Sequence, residues 1–163
     1  MLVGVVAQGQ VGAAIPPVHG AVLAGPKVDL PEGLKGKVGV LVMGFSQGSR
    51  SQVTIWGKRL ALDYYQSPQV SYYEMAMVAS IPHIMRRLVL RKMKGDVSER
   101  GQTTFLPVED HEKEWKAVTS YRAEDDAYVL VVDGGGVVRW RTQGDLNEAG
   151  YAELKQQVKA LKQ

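Results

Sequence analysis

The sequence predicts an α/β domain of three layers, with helices on both faces of a mixed central sheet. Three observations carry this. Residues 38–45 (VGVLVMGF) form an unbroken apolar run between turn signals, the pattern of a strand buried on both faces. Val53, Trp56 and Leu60 then recur at helical spacing before a second strand-like run at residues 70–77. Two strands joined through a helix run parallel and cross over right-handed. Late in the chain, residues 127–132 (AYVLVV) lead through Asp133-Gly134-Gly135-Gly136 into residues 137–142 (VVRWRT), a hairpin, which makes the sheet mixed.

The elements follow in order. Leu34-Lys35-Gly36-Lys37 is the turn before the first strand. Residues 46–51 (SQGSRS) are a small polar loop, where Ser49 or Ser51 can cap the next helix. Ser67-Pro68 precedes the second strand. Ser80 as cap and Pro82 in the first turn open another helix, which Gly95 ends. Ile81, Ile84, Met85 and Leu88 share one face of that helix, and the same segment carries Arg86, Arg87, Arg91, Lys92 and Lys94. Residues 96–102 read as a loop and residues 112–120 as a short helix. In the return strand of the hairpin, alternation places Val138, Trp140 and Thr142 on one face and Arg139 and Arg141 on the other, with Trp140 towards the core. Asp145 and Glu148 have capping-box spacing, and the last helix should bury Tyr151, Leu154, Val158 and Leu161. The order is β-α-β-α, a β-hairpin and a terminal helix.

The chain has 163 residues, a one-domain length that can bury a sizeable core. Its formal charge of +3 is far from the basic excess of a dedicated nucleic-acid binder. It contains no cysteine, which excludes disulfides, a thiolate nucleophile and cysteine-based zinc sites. Residues 1–7 (MLVGVVA) are either an apolar leader or the remnant of an export signal without its basic segment. Residues 9–25 are rich in Gly, Ala, Pro and Val without a period and read as a linker, so the domain is expected over residues 27–163 after a leader and linker at 1–26. The opening leaves two locations open: exported or membrane-associated, or cytoplasmic.

Two segments carry a family resemblance. Gly36-Lys37-Val38 through Ser49, with its turn, apolar strand and polar loop at a helix start, resembles the opening of the thioredoxin and peroxiredoxin superfamily. Tyr128, Leu130, Val132, Asp133, Gly136, Val138, Arg139, Trp140, Gly144, Glu148 and Leu154 are similar to the C-terminal pattern of the thioredoxin-like assembly factors of the mitochondrial ATP synthase. The resemblance implies a thioredoxin-like fold. It also implies a non-catalytic assembly factor or chaperone-type binding module for a membrane complex. The alternative is a superfamily enzyme working through a non-thiol group around Ser49. Ser49 and Gln52 fall on the two thioredoxin cysteine positions. Asp125-Asp126 precede Ala127 where thioredoxins carry the cis-proline that lines their substrate site. Neither departure suits an oxidoreductase.

The other candidates are weaker. A serine hydroxyl at a helix start needs a general base to act as a nucleophile, and His19, His83 and His111 have no triad-like placement. His83 and His111 with Glu112 or Glu114 match no metal-ligand spacing. Tyr72, Tyr73 and Trp140 read as core aromatics rather than a binding patch. Residues 134–136 are a turn and not a phosphate loop, because a strand follows. The basic residues Arg86, Arg87, Arg91, Lys92 and Lys94 either solvate a helix face or dock an anionic lipid surface or acidic partner. No cofactor, metal, nucleic acid or small-molecule substrate is expected. The expected partner is a protein at or near a membrane.

Overall fold

The computed structural model describes residues 11–162, so the apolar leader expected at residues 1–7 lies outside the described residues. The strands are β1 (Val18–Ala21), β2 (Lys27–Leu30), β3 (Val38–Gly44), β4 (Val70–Met77), β5 (Phe105–Val108), β6 (Tyr128–Val132) and β7 (Val138–Gln143). The α-helices are α1 (Arg50–Tyr64), α2 (His83–Asp96), α3 (Glu112–Val118) and α4 (Glu148–Leu161). Strands β5-β4-β3-β6-β7 form a mixed five-stranded sheet in that order. β3 runs parallel to β4, with Val38 opposite Val70 and Gly44 opposite Ala76, and β4 runs parallel to β5. β6 is antiparallel to both β3 and β7.

β3 is the middle strand, and all of its residues are buried. Its period-two alternation divides the interior. Val38, Val40 and Val42 meet Val53, Trp56 and Leu60 of α1 and Tyr151, Leu154 and Val158 of α4. Leu41 and Met43 face the other layer, with Leu34, Trp115 of α3 and Val18 of β1. Each fully buried Leu or Val contributes about 1.5–3 kcal/mol over exposure, so two such layers supply the main driving force for folding.

Residues 11–26 are not a free linker. β1 pairs antiparallel with β2, and Ile15, Val18 and Val22 are buried in the core. Ala14 bridges Val137 beside β7, while the N–H of Leu23 donates to the carbonyl of Phe105 at 3.0 Å beside β5. The stretch thus borders the sheet at both ends, where unpaired strand edges would otherwise invite association. Its apolar residues are too irregularly spaced to register as a strand. β5 also gave no sequence signal: it has four residues, and Pro107 among them demotes a strand reading.

Three local expectations shift. α4 is capped by Asn147, whose side chain accepts from the Gly150 N–H at 2.8 Å, rather than by Asp145. Pro82 occupies the N-cap position of α2 with no side-chain cap bond, so Ser80 does not cap it. In the hairpin, Val138 pairs with Val132 but Trp140 pairs with Val131, across a bulge. The bulge breaks the alternation: Val138 is buried with the α3 layer, and Trp140 packs half-buried against the α1–α4 layer.

Candidate functional site

The loop from β3 into α1 carries the residues expected at the thioredoxin cysteine positions. Ser49 is 1% exposed. Its hydroxyl donates to the Ser46 carbonyl at 2.7 Å, and its N–H donates to the Ser46 hydroxyl oxygen at 3.1 Å. Ser46 thus caps the 3-10 turn Gln47–Ser49 that leads into α1, and Ser49, at the N-cap position of α1, makes no side-chain cap bond to it. A buried serine bonded to a carbonyl has no base to take its proton.

Across the loop lies the segment of Glu124, Asp125 and Ala127 that leads into β6. The Ser46 hydroxyl stands 2.7 Å from the Glu124 carbonyl and 2.9 Å from the Asp125 carboxylate, and its single proton serves one of them at a time. Gly48 lies under Asp125 so closely that an added Cβ would meet the carboxylate at 2.2 Å. The Gln52 side-chain oxygen accepts from the buried Ala127 N–H at 2.8 Å. The two loops form a polar clasp beside the start of α1.

Next to the clasp opens a cleft of about 890 Å³ between α1, β4, α2 and the loop before β5. Val53, Tyr72, Val89, Met93, Val97 and Phe105 give it apolar walls. Glu74, from the middle of β4, projects against Gly57 of α1, where an added Cβ would come within 2.2 Å of the carboxylate. One Glu74 oxygen is buried without a hydrogen-bond partner. Burial pushes this carboxyl above the ordinary carboxylate range, and the Thr104 hydroxyl and the Glu74 backbone N–H pull it part of the way back. Burial also raises Tyr72 to about 12, with the Glu74 charge adding to the shift. The cleft therefore presents a carboxyl with a raised pKa in an apolar wall. Neither Glu74 nor Gly57 was singled out from sequence, although a lone acid inside the run VSYYEMAM was a signal available there.

The basic segment is not one surface. Arg86 is 8% exposed and points inward. Its guanidinium donates to the carbonyls of Ala79 at 3.0 Å and Ile81 at 2.9 Å, and pairs with Glu109 at 3.2 Å. It thus anchors the entry to α2 and leaves the expected docking set. Arg87, Arg91, Lys92 and Lys94 are exposed, and Lys92 pairs with Asp96 at 3.2 Å. Ile84, Met85 and Leu88, expected as one face of this helix, are exposed as well. His83 lies 3.4 Å from Arg86, and His111 lies 3.8 Å from Glu114. Among the described residues, no three His, Asp or Glu side chains converge on a metal-sized site.

Solved structures with the same fold include a conserved protein from Geobacillus kaustophilus, with TM-score 0.63 and 19% identity, covering 93% of this chain and 81% of that one. The exposed lipoprotein thioredoxin of Streptococcus pneumoniae matches with TM-score 0.61 and 12% identity, over 87% and 99% of the two chains. The thioredoxin domain of a thiol-disulfide oxidoreductase from Bacteroides vulgatus matches with TM-score 0.58 and 14% identity, over 91% and 97%. At these identities the likeness is one of fold alone. No curated protein matches the chain. The family model described as ATP10 protein matches residues 10–161, which spans both edges of the sheet, the clasp and α4. The chain belongs to the ATP10 family, related to ATP synthase assembly, and is a thioredoxin-like protein without a cysteine.

Proposed function

We propose that this protein is a non-catalytic binding module of chaperone type, which assists assembly of the ATP synthase at a membrane. The observation that carries the reading is the clasp. Ser46, Gly48 and Gln52 meet Glu124, Asp125 and Ala127 beside the β3–α1 loop, which resembles a thioredoxin active-site loop, and no cysteine is present. Family membership supplies the link to the ATP synthase. The buried Ser49 hydroxyl, bonded to a carbonyl, speaks against the alternative of a serine-based enzyme.

The test has two arms. The purified protein is assayed for disulfide reduction, disulfide isomerisation and peroxide turnover beside a heat-killed control. It is also captured on native membranes, with quantitative mass spectrometry of what it retains. We expect no turnover above the control and enrichment of ATP synthase subunits. Turnover abolished by Ser49→Ala would overturn the non-catalytic reading, and a capture without ATP synthase subunits would overturn the partner.

A further inference from the structure

We propose that the outward face of α2 docks this protein on an anionic lipid surface. Besides the Val89 and Met93 that line the cleft, the helix turns apolar side chains to solvent. Ile84 is 87% exposed, Leu88 61% and Met85 51%. They are three of the five large hydrophobic side chains exposed among the described residues. Ile84 and Leu88 stack one turn apart, and Arg91 continues the same row. Met85 lies on one flank of the row, and Arg87 and Lys94 lie on the other.

The helix does not need these apolar residues to hold its place. Its start is anchored by the buried Arg86. Its end is tied by Asp96, which meets Lys92 at 3.2 Å and Arg50 at 3.7 Å. Gln102 adds a bond to the Lys94 carbonyl at 2.9 Å. Exposed Ile, Leu and Met on a helix anchored by other groups call for a surface to cover them.

The charge decides what that surface is. No acidic residue stands between Glu74 and Asp96 in the sequence. Arg87, Arg91 and Lys94 have no acidic partner among the described residues, whereas Glu109 and Asp96 are already engaged by Arg86, Lys92 and Arg50. The free charge of the face is therefore cationic and lies beside the apolar row. A helix lying in a membrane interface needs this arrangement: apolar tips entering the acyl boundary by about 5–10 Å, and cations on long stems at headgroup level. A bilayer also accepts a convex ridge without a matching concavity, which a folded acidic protein would have to supply. The proposal is independent of the assembly reading, because pure lipid tests it.

The experiment is co-sedimentation of the full chain with vesicles of phosphatidylcholine alone, and with vesicles in which about a third of it is replaced by phosphatidylglycerol. Two variants are compared, Arg87→Gln/Arg91→Gln/Lys94→Gln and Ile84→Ser/Leu88→Ser, each checked for native circular dichroism. Wild type should bind the anionic vesicles, weakly or not at all the neutral ones, and less as salt rises. The triple variant should bind on the order of a hundredfold more weakly, at about fivefold per lost cation. The serine variant should lose about tenfold, which a purely electrostatic attraction would not. Equal recovery on both vesicles overturns the proposal, as does no recovery of natively folded wild type. In the latter case, capture of an acidic protein that the triple variant fails to retain would assign the ridge to that partner instead.

Discussion

The side-chain oxygen of Gln52 accepts the backbone N–H of Ala127 at 2.8 Å, which ties the first turn of α1 to the start of β6. Ala127 is fully buried, so water cannot replace this acceptor. Gln52→Leu should therefore cost about 1–3 kcal/mol, the cost of leaving a buried donor unpaired. Gln52→Glu keeps an acceptor and should cost less near neutral pH. Urea unfolding of both variants reads the difference, and equal losses would mean that the bond is not what holds the two loops.

Arg86 and its neighbours should behave in opposite ways. Arg86→Ala strands the carbonyls of Ala79 and Ile81 and should cost about 2–3 kcal/mol, within the range for bonds to a charged donor. Arg87→Ala and Arg91→Ala sit on the exposed face and should stay within about 0.5 kcal/mol of wild type. Chemical denaturation of the three single variants checks this contrast, and a destabilised Arg87→Ala would contradict it.

Glu74 should make stability fall as pH rises. Burial raises its folded pKa above the unfolded value, so the folded state holds the proton more tightly. The burial penalty is absent below the unfolded pKa, where both states are protonated. It grows through the interval between the two pKa values and is complete above the folded one. Glu74→Gln removes the penalty. The variant should match wild type at acid pH and melt higher at neutral pH. Thermal melts of the pair from about pH 3 to pH 8 test this, and an advantage that shrinks towards neutral pH would reverse the sign.

The tryptophans should separate by burial. Trp56 is 1% exposed and donates from its indole N–H to the Gly144 carbonyl at 2.9 Å. Trp56→Ala should cost about 3–5 kcal/mol. Trp140, half-buried beyond the bulge, should cost about 1–2 kcal/mol on the same change, because less of its ring leaves water. Equal losses in urea unfolding would place Trp140 fully in the core.

What the sequence made legible is what short-range periodicity encodes. β3 and β4, the inward stripe of α1, the Asp133–Gly136 turn and the buried face of α4 all announce themselves within a few residues. β1 and β5 do not, since four residues containing or flanked by Gly and Pro carry no measurable period. In α2 the sequence groups Ile84, Met85 and Leu88 on one face, and nothing in it sets the buried Arg86 apart from the other cations of the segment. Only the tertiary placement of the helix, with its entry tied by Arg86, buries that guanidinium and leaves Ile84, Met85 and Leu88 exposed. The position of Ser49 and Gln52 at the start of α1 was readable from the strand–loop–helix pattern. Their surroundings were not, because the other half of the clasp lies more than 70 residues further along the chain.

The most direct measurement of the central claim is the amount of fully assembled ATP synthase in native gels of membranes from the source organism after deletion of this gene. Complementation would use wild type and Ser49→Ala. A binding module without catalysis predicts that deletion lowers the assembled enzyme and that both forms restore it equally. Unchanged assembly after deletion would contradict the assembly role, and failure of a natively folded Ser49→Ala to restore it would contradict the absence of catalysis.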